Sequence, residues 1–308
     1  MDPKITACIS AASIVLTAVY FFGIVPWTKL IALCLCTGYI PWYFDGGPMR
    51  TDRSWPAFQK AGFWKAIGRY FPSRIVCPYK LDPKKQHIFA CHPHGVGSIN
   101  HGLTLTDACG FISEVFPVPR LDLSASVIFR IPLWREICLW LGCVDASRSM
   151  ANKVLRAGFS TLILVGGEQE QVRARPGPGG HAAFLRARKG FCRLALAHGC
   201  TLVPVYAWGE NELYATSRAL LGPRLAVVRA LRVALPLFWG RAWCPILPKK
   251  HPLTLVFGKP IDVEKVSGEP SKAQIDALHT RYIQALQHLF EETKEEYGKQ
   301  PTATLKII

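Results

Sequence analysis

His92-Pro93-His94-Gly95 sets two imidazoles on either side of a proline and directly before a glycine. The short apolar run Ile88-Phe89-Ala90 leads into it, so both histidines stand at the end of a predicted strand. In α/β proteins the strand ends commonly face ligands. Gly95 and Gly97 allow the backbone to turn and to approach a ligand closely. An imidazole titrates near neutral pH, which suits a general base that takes the proton of an attacking hydroxyl. Three other readings fit the same spacing. A metal site can use His-x-His, but Gly95-Val96-Gly97-Ser98 adds no further ligand. Nucleic-acid binding would account for a basic chain, and purely structural histidines are the third reading.

The elements that would hold such a site belong to one α/β domain. Runs at Thr161-Leu162-Ile163-Leu164-Val165, Thr201 to Tyr206 and Leu253 to Phe257 are short, apolar and rich in β-branched residues, and the first and last stop directly at glycine. They predict buried strands. Between them, Phe184, Leu185, Phe191, Leu194 and Ala195 recur at helical spacing and predict a helix over 182–198, with Gly199 as its stop. Ser271 offers an N-cap to a last helix whose apolar stripe runs from Ile275 to Phe290, with Gly298 closing it. Strand and helix in alternation imply a mostly parallel sheet with flanking helices. The stretch from Leu220 to Trp243 sets Arg224, Arg229, Arg232 and Arg241 among apolar residues, the pattern of a basic amphipathic helix lying on a membrane or of an ordinary surface helix.

Composition bounds the partners. Half of the 308 residues are apolar and 19% are charged, which excludes a disordered chain. The net charge of +16 calls for an anionic partner: nucleic acid, an acidic membrane surface or a polyanionic small substrate. The 11 cysteines are scattered and form no C-x-x-C, so they read as reduced thiols rather than a disulfide framework or zinc site.

The N-terminus narrows the choice. Ile5 to Trp27 carries no charge and is long enough to cross a ~30 Å hydrocarbon core. A second apolar run, Leu30 to Phe44, is shorter and is broken by Gly38 and Pro41. Two spans fit, and so does a hairpin turning at Pro26. Residues 1–47 are thus read as a membrane segment and 48–308 as the functional domain. Arg50 and Arg53 just beyond it place that domain in the cytosol by the positive-inside tendency. A membrane segment also argues against nucleic acid as the anionic partner.

A series of blocks in fixed order resolves the histidine pair further. Tyr70-Phe71-Pro72 comes first, then His92-Pro93-His94-Gly95, then Arg130-Ile131-Pro132-Leu133-Trp134-Arg135 with Gly142 and Ser147. Val165-Gly166-Gly167-Glu168-Gln169-Glu170, Arg188-Lys189-Gly190-Phe191 and Leu202-Val203-Pro204-Val205-Tyr206 follow. Gly209-Glu210-Asn211-Glu212-Leu213-Tyr214, Gly258-Lys259-Pro260-Ile261 and a final helix with His279 and Tyr282 complete the order. Together they resemble the type-2 diacylglycerol acyltransferase family, which also contains monoacylglycerol and wax-alcohol acyltransferases.

The resemblance implies transfer of an acyl group from acyl-CoA to a lipid alcohol at the endoplasmic reticulum, with the domain facing the cytosol, and extends to a lipid-droplet location. It implies a glycerolipid-acyltransferase-like fold, no metal or bound cofactor, and acyl-CoA as co-substrate. The leading acceptor is diacylglycerol, giving triacylglycerol; a monoacylglycerol or a long-chain alcohol is the alternative. A non-catalytic lipid-binding protein on membranes or droplets is the alternative of another class, and intact His94 and Glu170 weigh against it. An oligomer is compatible with all of these.

By the same resemblance His94 is the general base. The wider glycerolipid acyltransferases carry His-x-x-x-x-Asp; here no acidic residue follows until Asp107. Glu170 is therefore expected to orient the base, with His92 positioning the loop or the acceptor. Gly95, Glu210 and Asn211 are expected at the substrate site. Arg135, Arg188 and Lys189 are expected to bind the CoA phosphates, because guanidinium groups pair with phosphate bidentately. Arg173 and Arg175 read as solvated loop residues.

Overall fold

The computed structural model describes residues 27–308 apart from 232, 245 and 246. The chain divides into two compact units, Met1–Arg50 and Thr51–Ile308. In the first unit the described element is α1, Trp27–Tyr43, which holds Pro41 within it. Ile31, Leu35 and Trp42 on this helix are exposed. Among the described residues no helix is long and apolar enough to cross a membrane. The uncharged stretch from Ile5 lies outside the described residues up to Pro26, and so does the turn expected at Pro26 itself.

The second unit opens with α2 (Pro56–Gln59), α3 (Phe63–Tyr70), β1 (Ser73–Val76) and β2 (His87–His92). Next come α4 (Ile99–Leu105), β3 (Asp122–Ser124), α5 (Trp134–Trp140), β4 (Cys143–Asp145), α6 (Arg148–Arg156) and β5 (Thr161–Leu164). They are followed by α7 (Gly167–Arg173), β6 (Ala182–Ala183), α8 (Gly190–His198), β7 (Thr201–Trp208), β8 (Ala215–Ser217), α9 (Leu221–Leu231) and β9 (Leu237–Trp239). The chain closes with β10 (Leu253–Phe257), α10 (Lys272–Thr293) and β11 (Lys306–Ile307).

Five strands form the central sheet in the order β1-β10-β7-β2-β5. β5, β2 and β7 are parallel, and β1 is parallel to β10. β10 runs antiparallel to β7, with Thr254 opposite Trp208. The sheet is mostly parallel as the sequence pattern implies, with one antiparallel joint that apolar runs alone do not reveal. Every residue of β2 and β7 is buried, the mark of strands covered on both faces. Alternate side chains feed two cores. On one face Ala90, Leu202, Tyr206 and Trp208 meet Phe191 of α8 and Tyr282, Leu286 and Phe290 of α10. On the other, Phe89, Cys91, Val203, Val205 and Phe257 meet Phe71, Leu103, Phe111 and Phe116.

Local signals mark some boundaries well. Ser271 caps α10 in a reciprocal capping box with Gln274. Gly199 ends α8 at φ +71°, its amide bonded to Ala195 O. Long-range contacts override local pattern elsewhere. The helix expected over 182–198 begins only at Gly190, because β6 pairs with β11 and the amides of Leu185 and Arg186 both donate to Ile308 O. α10 ends at Thr293, short of Gly298, whose Cα packs against the Trp208 ring.

The stretch from Leu220 to Trp243 is not one amphipathic helix. α9 ends at Leu231, and β9 returns to pair with β8. Arg224 is buried, and its guanidinium donates to the carbonyls of Leu235, Ser217, Ala219 and Val172. It ties this excursion together rather than meeting lipid phosphates. Arg224→Ala should therefore cost about 2 kcal/mol or more of stability, the scale of lost charge-assisted hydrogen bonds, with membrane partitioning unchanged. Denaturant unfolding and flotation of the same variant check both parts.

Candidate functional site

β5, β2 and β7 run in one direction, so their C-terminal ends share one edge of the sheet. Each end delivers one part of the site. β2 ends at His92 and leads into His94, β5 leads to Glu170 through Gly166-Gly167, and β7 leads to Glu210.

Glu170 is buried, yet its carboxylate is fully engaged. Oε1 accepts the His94 amide at 2.5 Å and Oε2 accepts the Phe184 amide at 3.0 Å. His92 Nδ1 lies 3.1 Å from Oε2 and 3.4 Å from Oε1. Burial pushes this carboxyl up, but the His92 charge and these hydrogen bonds outweigh it and hold the group below its usual value. A carboxylate only accepts, so His92 Nδ1 carries the proton between them. His92 Nε2 is buried and has no hydrogen-bond partner. Gly166 makes room for this arrangement, since a Cβ there would lie 1.9 Å from Glu170 Oε2.

His94 is oriented differently from expectation. Its Nδ1 lies 3.1 Å from the Gly95 carbonyl and 3.1 Å from Ser98 Oγ. A carbonyl only accepts, so Nδ1 donates and Nε2 keeps the lone pair of the neutral ring. Burial lowers the His94 pKa, and the Glu170 charge and the Gly95 carbonyl offset this only in part. The neutral ring is therefore the favoured form near pH 7. His94 lines a cavity of about 1470 Å³ with Ser98, His101, Glu168 and Arg188. Glu170 thus holds the backbone of His94 and the ring of His92; Gly95 and Ser98 orient the His94 ring.

A second buried carboxyl group braces the same loop. Glu210 accepts the amides of Ile99 at 3.1 Å and Asn100 at 2.8 Å. It presses against Gly95, where φ is +64° and a Cβ would lie 2.3 Å from Glu210 Oε1. Asn100 closes the loop by donating to Pro93 O at 2.8 Å. Burial pushes Glu210 up to about 8, the two amides pull it down, and Glu212 adds to the rise.

The remaining expected residues divide. Arg188 and Lys189 line the His94 cavity, Arg188 Nη2 lying 4.0 Å from Glu168 and Lys189 Nζ 2.6 Å from Asp276. Asn211 instead faces a cleft of about 10 Å³ behind the loop, lined by Pro93 and Glu170, and bonds Gly180 O at 3.4 Å. Arg135 is corrected outright. It is 1% exposed and engaged by Glu136, which also holds Arg53 at 3.1 Å, so its guanidinium is structural and out of reach of a phosphate. Gly95 and Glu210 shape the loop from behind rather than presenting groups to a ligand.

Two residues escaped the sequence reading. Ser98, four positions after His94, was within reach of a spacing argument. His101 was not, because its partner is distant in the chain: Nε2 lies 3.1 Å from Asp122 Oδ2. Asp122 also accepts Arg120 Nε at 2.9 Å and the Leu162 amide at 2.8 Å. Burial would raise Asp122, but Arg120 and His101 hold it down at about 2.

The mostly parallel α/β scaffold, with an imidazole and cationic side chains lining one cavity, fits an enzyme of the acyltransferase class. Within that class the chain belongs to the diacylglycerol acyltransferase family, whose model matches residues 19–308. It is 34% identical over 286 residues to diacylglycerol O-acyltransferase 2 of Dictyostelium discoideum, covering 87% of this chain and 85% of that one. It is 33% identical to diacylglycerol O-acyltransferase 2A of Umbelopsis ramanniana, covering 88% and 80%. With 2-acylglycerol O-acyltransferase 1 of Bos taurus the identity is 35%, covering 87% and 83%. Among solved structures, the 1-acyl-sn-glycerophosphate acyltransferase of Thermotoga maritima aligns with a TM-score of 0.44 at 13% identity, over 96% of this chain and 99% of that one.

Glu210 gives the site a stability signature. Between the ordinary value of 4.5 and about 8, the folded protein holds a proton that the unfolded chain releases. The protonated carboxyl's contribution is full below pH 4.5 and is lost as pH rises through about 8. The apparent melting temperature of the extracted protein should fall across that window, and Glu210→Gln should flatten the slope. An unchanged slope in the variant would count against this assignment.

Proposed function

We propose that the protein transfers the acyl group of an acyl-CoA to the free hydroxyl of a diacylglycerol, forming triacylglycerol. The observation that carries the mechanism is the His94 ring, whose Nδ1 is bonded to the Gly95 carbonyl and which lines the large cavity. Family membership supplies the reaction class. In this reading His94 Nε2 takes the proton of the acceptor hydroxyl as its oxygen attacks the thioester carbonyl. The carbon–sulfur bond breaks, and the CoA thiolate takes the proton back from the imidazolium, leaving the ester and the free thiol. Both substrates together supply every atom, so the reaction itself calls for no metal or cofactor.

Glu170 and His92 hold the loop, and Arg188 and Lys189, which line the His94 cavity, serve the donor's phosphates. A monoacylglycerol is a second reading with its own support, since the bovine 2-acylglycerol enzyme is as similar as the diacylglycerol enzymes; a long-chain alcohol shares the same chemistry. A purely lipid-binding role would leave the oriented His94 and its buried supports without a use.

In the same reading 1–47 anchors the protein to the endoplasmic reticulum membrane, with 48–308 in the cytosol and access to lipid droplets. The exposed apolar residues of α1 and the positive charges that follow at Arg50 and Arg53 support it.

Labelled acyl-CoA offered with diacylglycerol, monoacylglycerol and fatty alcohol to membranes of a yeast lacking neutral-lipid synthesis tests the function; the labelled product names the acceptor. His94→Ala should lower ester formation by about 100-fold or more, the contribution of a positioned base, while the protein still reaches the membrane. The wild-type rate should fall as pH drops through a value below the ordinary 6.5 of histidine, because only the neutral ring accepts the proton. Full activity in the variant would remove His94 as the base. Deleting 1–44 should shift the protein from the membrane to the soluble fraction.

A further inference from the structure

One part of the cavity wall carries more positive charge than its own carboxylates neutralise. Arg148, Arg188, Lys189 and Arg193 line it, against Glu168, Glu269 and the Asp276 that holds Lys189. Arg148 opens α6, and Arg193 lies one turn into α8. Both reach the same oxygen: Arg148 Nη2 and Arg193 Nη1 each lie 3.1 Å from Glu269 Oε1. One carboxylate therefore gathers two guanidinium groups from separate helices and leaves one net positive charge. Each guanidinium has five N–H donors, so most of the pair's donors stay available to a second acceptor.

The side chains of Arg148 and Arg193 are 69% and 43% exposed. Surface ion pairs of this kind add about 0–1 kcal/mol to stability, so folding alone gives little reason for two arginines to converge here. Position gives a better one. Arg188 neighbours Gly167 and Glu168, in the block that carries Glu170 and thereby His94. Arg193 follows Lys189 by four residues along α8, about 6 Å further on at the helical rise. The cations thus share the His94 cavity and run from the Glu170 block into α8. A ligand matching them has its reacting group at one end and phosphates along its length.

We propose that Arg148 and Arg193, gathered by Glu269, form the seat for the terminal 3′-phosphate of the acyl donor. The proposal rests on the acyl-CoA reading above and assigns two residues that the motif comparison did not. A phosphate dianion accepts two guanidinium groups bidentately, and it displaces the single carboxylate oxygen that holds them ready. Arg188 and Lys189 then face the pyrophosphate nearer the thioester.

The test uses the full-length protein in membranes with two donors, palmitoyl-CoA and its 3′-dephospho analogue. Arg148→Ala and Arg193→Ala should each raise KM for palmitoyl-CoA about tenfold, the worth of a charge-assisted hydrogen bond, with kcat changed less than twofold. The wild type should show a similar rise on going to the dephospho donor, and the variants should lose little more with it. Arg148→Lys and Arg193→Lys should fall between wild type and alanine, and Glu269→Gln should leave KM equal or lower. An equal KM rise for both donors, or a fall in kcat with KM unchanged, would overturn the seat while leaving acyl transfer standing. A wild type that makes no ester from any acyl-CoA would end the acyl-transfer reading and the seat with it.

Discussion

One buried carboxylate, that of Glu170, holds the site together. It joins the end of β2, the loop that follows and the segment after β6 through His92, His94 and Phe184. Removing a carboxylate from water costs several kcal/mol unless partners replace the lost hydration. Two amides and an imidazole do so here, and that requirement propagates outward. Gly166 must lack a side chain, β5 must lie beside β2, and the segment after β6 must stay non-helical with β6 paired to β11. A helix over that segment would carry the Phe184 amide out of reach.

The two histidines of one tetrapeptide accordingly do different work. His92 is sealed in, and its Nδ1 is bonded to Glu170. His94 faces the cavity, and a backbone carbonyl and a hydroxyl turn its ring. A carboxylate orienting the base would raise the base's pKa and bias it toward the charged form. The partners of His94 orient it while burial outweighs the rise that the Glu170 charge and the Gly95 carbonyl bring, so its pKa stays below the ordinary value. The carboxylate charge is kept one step away, where it fixes the main chain.

Local pattern made four strands of the central sheet and two helix ends legible. Continuous apolar runs such as Ile88 to Ala90 read as buried strands, and Ser271 and Gly199 marked helix ends. The histidine loop was legible through its glycines and the block order, and so was Glu170 as its partner, although not what it binds. The rest depends on contacts between distant parts of the chain. Hydrophobic periodicity reports burial, not direction, so the antiparallel β10 could not be read. Arg135 and Arg224 look like surface cations until Glu136 and a ring of carbonyls enclose them. His101 has no local mark, since Asp122 reaches it only after β3 is set beside β4 and the sheet.

The antiparallel joint between β7 and β10 has an evolutionary consequence. Trp208 ends one strand opposite Thr254 near the start of the next, so everything between them leaves and re-enters the sheet at a single edge. That excursion contains α9, whose Val228 and Arg229 form part of the cavity wall. A segment anchored at two adjacent points can be lengthened, trimmed or exchanged without altering strand register. Acceptor choice can therefore diversify by remodelling the α9 wall, because the histidine loop and Glu170 lie outside the excursion.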